Sequence, residues 1–249
     1  MTETEVALVV GSGPGVSASC ARLFAREGMR VAVAARDTEK PVLKVLEMDQ
    51  AVTLVACDAS EPASVRALFD EVKSRLGPPR LVVHNIDGRP PEVFGKSITE
   101  VGTDAVLATL RNSTYSAFLV GQQAAVTMLD LEARSGHKGT ILFTNASAAL
   151  KGFARGGAFA AASHGKAGLA QSMARELMPQ GIHVVHVPID AAIGWEQPDG
   201  SRAHRRAGRT EDDDMAHPDR IAEVYLQLHR QHRSTWAFEV VLRPWTETW

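Results

Sequence analysis

Short apolar runs recur along the chain, each followed by a turn and then by a stretch whose apolar positions fall three and four residues apart. The runs are Val6–Val10, Arg30–Ala35, Val52–Ala56 and Leu81–Val83, then one opening at Gly139, one opening at Gly181-Ile182, and finally Trp236–Val241. Runs of this length that are apolar throughout are expected of strands buried on both faces of a parallel sheet. Between them lie helical stripes: Val16, Cys20, Leu23 and Phe24; Val65, Leu68, Phe69, Val72 and Leu76; a long one from Val106 to Met128; another carrying Leu169 to Leu177; and a last one near Ile221 to Leu228. Strands alternating with one-sided helices predict a single α/β domain over residues 1–249, a doubly wound parallel sheet with helices on both faces.

Composition adds bounds rather than detail. With 249 residues, 45% of them hydrophobic, the chain can bury a full core. A net charge of −2 gives no reason to expect nucleic acid or an acidic membrane as partner. Two cysteines, Cys20 on a core stripe and Cys57 at a strand end, suit a reducing compartment. The acidic start MTETEV leads straight into a strand and no apolar run is long enough for a bilayer, so a cytoplasmic protein is expected.

The first strand runs into Gly11-Ser-Gly-Pro-Gly15-Val-Ser17 and then a helix. Strand, glycine turn and helix N-terminus in that order form an anion-binding device, because glycines allow close backbone approach and free N–H groups attract phosphate. Gly11, Ser12, Gly13, Gly15 and Val16 are the candidate phosphate contacts. The second strand ends in Arg36-Asp37: an arginine suits a 2′-phosphate, whereas an acid one place later could bind ribose hydroxyls or begin a helix. Asp58, after the third strand, is a candidate helix cap.

The segment GTILFTNASAALKGFARGGAFAAASHGKAGLAQSMARELMPQGIHVV, together with this turn, resembles the short-chain dehydrogenase/reductase family. The resemblance implies a Rossmann-type fold, an NADP cofactor with NAD as the other possibility, and assembly into a homodimer or homotetramer through the long middle helices. For Asp58 it implies an adenine contact as the alternative to a cap. It also implies a serine after the fifth strand and a Tyr-x-x-x-Lys pair on the following helix. Counting back from Gly181 places Phe159 on the tyrosine and Ser163 on the lysine; anchoring on Lys166 instead places Ala162 on the tyrosine. Neither frame offers a phenol. The remaining tyrosines are Tyr115, about 200° around the helix from Ser113, which takes the place of the family's asparagine, and Tyr225 on the last helix.

Other positions depart as well. The serine position falls on Ala146, with Ser147 one place late. His84-Asn-Ile-Asp-Gly88 stands for Asn-Asn-Ala-Gly, so only Asn85 survives and Asp87 brings a charge toward the groove; Ile189-Asp190 stands for Pro-Gly. His164, next to Ser163, is a candidate substitute acid. The candidate catalytic positions are therefore Ser113, Ser147, Phe159, Ser163 and His164, and the candidate cofactor contacts add Arg36, Asp58, Asn85 and Ile189 to the glycine turn. The histidines show no metal-ligand spacing, so no metal is expected. Residues 197–214, basic then acidic, would form a substrate lid by the same resemblance, or a solvated loop. Two functions stay open: an NADP(H)-dependent oxidoreductase with a non-standard site and an unknown carbonyl or alcohol substrate, or a non-redox catalyst or assembly protein on the same fold.

Overall fold

The computed structural model describes residues 4–194 and 214–248. Six strands, β1 (Val6–Val10), β2 (Arg30–Ala35), β3 (Val52–Ala56), β4 (Leu81–His84), β5 (Gly139–Ala146) and β6 (Ile182–Ile189), form one parallel sheet in the order β3-β2-β1-β4-β5-β6. Chain order reverses between β1 and β4, and at that point the strand ends open a crevice suited to a ligand. The register brings it into focus: Val10 at the end of β1 lies beside both Ala34 and His84, so the Gly11 turn and Asn85 emerge side by side.

Both faces of the sheet are covered, as the apolar strands require. Along β1, Val6, Leu8 and Val10 enter one core cluster while Ala7 and Val9 enter the other. The first core is closed by α3 (Pro62–Arg75), α5 (Ser116–Leu129) and α6 (Gly157–Leu177), the second by α1 (Val16–Arg26), α2 (Pro41–Glu47) and α7 (Pro218–His229). Full burial of a Leu, Val or Phe side chain contributes roughly 1.5–3 kcal/mol. This two-faced demand is what holds the register.

Two expectations need correction. The helix expected from Val106 to Met128 is interrupted: α4 (Thr103–Leu110) passes into a π-helical turn at Arg111–Tyr115 before α5 begins. Hydroxyls there compete for the helix carbonyls, with Ser116 Oγ donating to Asn112 O and Ser113 O, and Thr114 Oγ1 turning away to Ala162 O at 2.7 Å. The final strand, Trp236–Val241, does not form as a continuous ladder. Residues 238–242 run parallel to β6 but meet it only at bridges His186–Glu239 and Ile189–Leu242. The reason is Pro188. His186 N, Val240 N, Leu242 N and Asp190 N all make their ladder bonds, and the missing rung falls where Pro188 has no N–H. The proposed lid lies almost wholly outside the described residues.

Candidate active site

Two adjoining cavities open at the crevice. A groove of about 470 Å³ runs over the ends of β1 and β2, lined by Gly11, Ser12, Arg36, Lys40, Asp58 and Asn85 among others. A pocket of about 430 Å³ lies over β4, β5 and α6, lined by Ser113, Asn145, Phe159, Ser163, Lys166 and Ile189 among others. Asn85, Ile86, Asp87 and Arg89 border both.

The glycine turn is built for close approach. Gly11 has φ +94°, and a Cβ there would lie 2.4 Å from Asn85 O, so only glycine lets the turn pass β4. Ser17, near the start of α1, does not obstruct this packing. Its buried hydroxyl donates to Gly11 O at 2.5 Å and accepts from Asn85 Nδ2 at 2.7 Å, tying the turn to the loop after β4. The Ser12 hydroxyl faces the opposite situation: it is buried and has no hydrogen-bond partner. A free hydroxyl on a phosphate-type turn, at the foot of an uncapped 11-residue helix, fits an anionic group. Gly13, Gly15 and Val16 belong to the turn and helix start but do not line the groove; Val16 packs in the core.

At the far end of the groove, Arg36 is joined by Lys40, which the sequence pattern did not single out. Asp37 accepts from Glu39 N at 2.9 Å and serves a turn. Asp58 is not the cap of α3, whose N-cap is Glu61. Its Oδ1 accepts from Ser60 N and Oγ at 2.9 and 2.8 Å. Burial raises its pKa, but those bonds and the fields of Arg36 and Arg111 outweigh burial and leave the carboxyl below its ordinary value.

The second pocket contains no tyrosine among the described residues. Tyr225 is buried in the core with its hydroxyl 2.7 Å from Thr144 Oγ1, and Tyr115 is exposed and stacked on Phe118. Ser113, on the π-turn, and Ser163 are buried at the pocket wall. Two candidates are not brought here. His164 is exposed, its Nδ1 2.9 Å from Ala160 O, because one residue past Ser163 turns it about 100° around α6. Ser147 begins a 3-10 turn after β5 and does not line the pocket, whereas Ala146 does. Ile189 lines this pocket rather than the groove. Asp190 is buried away from both, beside Lys151 at 3.7 Å and Arg243 at 3.4 Å.

Lys166 is the residue the candidate set lacked. It sits three places beyond Ser163, and its Nζ donates to Ile86 O at 2.8 Å and Thr144 O at 3.3 Å. Burial pulls its pKa down to about 8, with Asp87 opposing the shift. The signal was present in the sequence as the Lys-Ala-Gly-Leu run. Beside it, Asn145 Nδ2 donates to Ser163 O at 2.8 Å and to His186 Nε2 at 2.9 Å, leaving His186 Nδ1 to donate to Glu239 at 2.8 Å. At the pocket mouth, Arg89 makes a bidentate pair with Asp87 (2.7 and 2.6 Å) and lies 3.6 Å above the Phe159 ring. Gly88 makes this loop possible: at φ +79° it packs so close to the π-turn that a Cβ would meet Ser113 N at 2.8 Å.

A parallel sheet with a glycine turn and a helix N-terminus at its crossover defines the doubly wound α/β class that binds ligands at that crevice. A family model described as enoyl-(acyl carrier protein) reductase matches residues 11–236. The chain belongs to the short-chain dehydrogenase/reductase family. It is similar to a short-chain dehydrogenase from Rhodopseudomonas palustris, with 30% identity, a TM-score of 0.77, and 97% of this chain and 99% of that one covered. A metagenomic short-chain oxidoreductase solved in complex with NADP shares the fold at 24% identity and a TM-score of 0.75, over 96% of this chain and 97% of that one. The 3-oxoacyl-[acyl-carrier-protein] reductase of Mus musculus is 24% identical over 180 residues, 72% of each chain. Among the described residues no helix is long and apolar enough to cross a membrane, and no cluster of His, Cys, Asp or Glu is placed to hold a metal.

Proposed function

We propose that this chain is an NADP(H)-dependent oxidoreductase that interconverts a carbonyl and an alcohol without a tyrosine proton donor. The observation that carries the reading is the pairing of Arg36 with Lys40 in a groove whose other end holds the orphaned Ser12 hydroxyl. Gly11, Ser12 and the α1 N-terminus would hold the pyrophosphate, Arg36 and Lys40 the 2′-phosphate, and Asp58 the adenine side. Asn85, Ser163 and Lys166 would hold the nicotinamide half. The cofactor, when bound, supplies or accepts the hydride.

What the chain adds at the reacting carbon is charge rather than a phenolic proton. Phe159 can donate nothing, and Ser147 and His164 stand outside the pocket. The proton for the nascent alkoxide then comes from water near Lys166. Positioned proton transfer contributes roughly a hundred- to ten-thousand-fold, so turnover is slow. Two further elements complete the proposal. The outer face of α4 and α5 exposes Leu107, Tyr115, Phe118 and Val126, which supports self-association there into a homodimer or homotetramer. Cys20 and Cys57, both free and buried, support a cytoplasmic setting.

Calorimetric titration tests the reading. NADPH is expected to bind more tightly than NADH, and Arg36→Ala combined with Lys40→Ala to erase that preference. Absence of heat from both nucleotides at near-millimolar concentration would replace the oxidoreductase with a non-redox or assembly function.

A further inference from the structure

The pocket over β5 and α6 is lined by two cations, Arg89 and Lys166, and by one carboxylate, Asp87. Its other walls include Ile86, Phe159, Ile189 and Ile193, which suit a short aliphatic chain. Among the described residues Lys166 bonds only backbone carbonyls and forms no ion pair with an acid. With its pKa near 8 it is mostly charged at neutral pH.

Arg89 lines the pocket with one edge of its guanidinium held by Asp87 and the rest unbonded among the described residues. Its guanidinium carbon lies 3.6 Å from the Phe159 ring centroid and 4.7 Å from that of Phe94, a cation–π contact that restrains the head group. Nε and Nη2 are taken by Asp87, and Nη1 makes no hydrogen bond among the described residues. Asp87 is half exposed while Arg89 is mostly covered, so the carboxylate is the better solvated and more replaceable partner. A planar fork on an aromatic face is suited to bidentate recognition of a carboxylate.

We propose that this pocket takes a short oxo acid, with Arg89 as the anchor for its carboxylate and the neighbouring carbonyl directed toward Lys166. The assignment rests on reading the pocket as the carbonyl site of a reductase. It also accounts for Phe159, whose ring, at the position where a phenol is expected, serves as a platform for a cation. Asp87 holds the fork in the absence of ligand and competes with it.

Pyruvate and its neutral methyl ester separate the charge from the rest of the ligand, and both are titrated calorimetrically with and without NADPH. Pyruvate is expected to bind at least tenfold more tightly than methyl pyruvate. Arg89→Leu should remove that preference while leaving the ester unchanged, and Arg89→Lys should retain only part of it. Asp87→Asn, which frees the fork, should strengthen pyruvate binding several-fold and so tests the idea even if the leucine variant misfolds. Equal binding of acid and ester, or a preference that survives Arg89→Leu, would overturn the assignment. NADPH binding without a preference for the acid would sink the anion site and leave the reductase reading standing. The preference without any NADPH binding would do the reverse.

Discussion

Lys166 Nζ donates to Ile86 O at 2.8 Å, joining the middle of α6 to the loop after β4 across 80 residues of sequence. The bond sets an amine at the base of the candidate pocket from three residues, about 300° of helix, beyond Ser163. It also puts a buried cation among carbonyls, and burial holds its pKa near 8 rather than at the usual value of 10.5.

The sign of the resulting pH dependence follows from proton counting. Between pH 8 and 10.5 the unfolded chain keeps the Lys166 proton and the folded chain releases it, so stability rises with pH across that window. The gain from this group is at most about 3 kcal/mol. Urea denaturation from pH 7.5 to 10.5 should show the rise in the native protein and a smaller one in Lys166→Met; identical slopes would remove Lys166 as its source.

On the acid side, His84, His183 and His186 are buried, and desolvation lowers the pKa of each. His84 is the furthest shifted, with Nε2 2.9 Å from Ser116 Oγ and the field of Lys166 adding to burial. Below about pH 6.5 the unfolded imidazoles bind protons that the folded ones refuse, so stability falls as pH drops. Denaturation midpoints measured from pH 7.5 down to 5 should decline steadily; a flat profile would show that these rings accept protons in place.

Ser17 links Gly11 O to Asn85 Nδ2 with two bonds in a buried setting. Ser17→Ala leaves that carbonyl and amide without this partner and should cost about 1–3 kcal/mol. A shift of the urea midpoint checks it. NADPH affinity should fall in parallel, since the same two bonds hold the phosphate turn against the loop carrying Asp87.

Restoring the proton donor is the sharpest test of why turnover would be slow. Phe159→Tyr combined with Ser163→Lys is expected to raise carbonyl reduction by about a hundredfold, the low end of the range for positioned acids. NADPH oxidation with a panel of small ketones and aldehydes reads this. No gain despite intact NADPH binding would place the nicotinamide end outside reach of residue 159.

The order of residues by itself determined the six strands of the parallel sheet, the core-facing stripes of α1, α3, α6 and α7, and the glycine turn, because those depend on apolar runs, on the 3.6-residue period and on local backbone freedom. It also determined that neither Phe159 nor Ala162 can act as an acid. Tertiary structure decided the rest. Pro188 removes a rung from the edge that residues 238–242 approach, a loss visible only once the two segments are side by side. The hydroxyls of Thr114 and Ser116 turn one expected helix into two joined by a π-turn, since their acceptors include Ala162 O, 48 residues away from Thr114. A long flexible side chain brings the Lys166 amine into the pocket, which chooses between the two frames that spacing left open for a lysine, and the Gly88 loop lays Arg89 on Phe159 from 70 residues upstream. Local periodicity specifies which face a residue occupies; the reach of a side chain and the partner it meets arise only when distant segments pack.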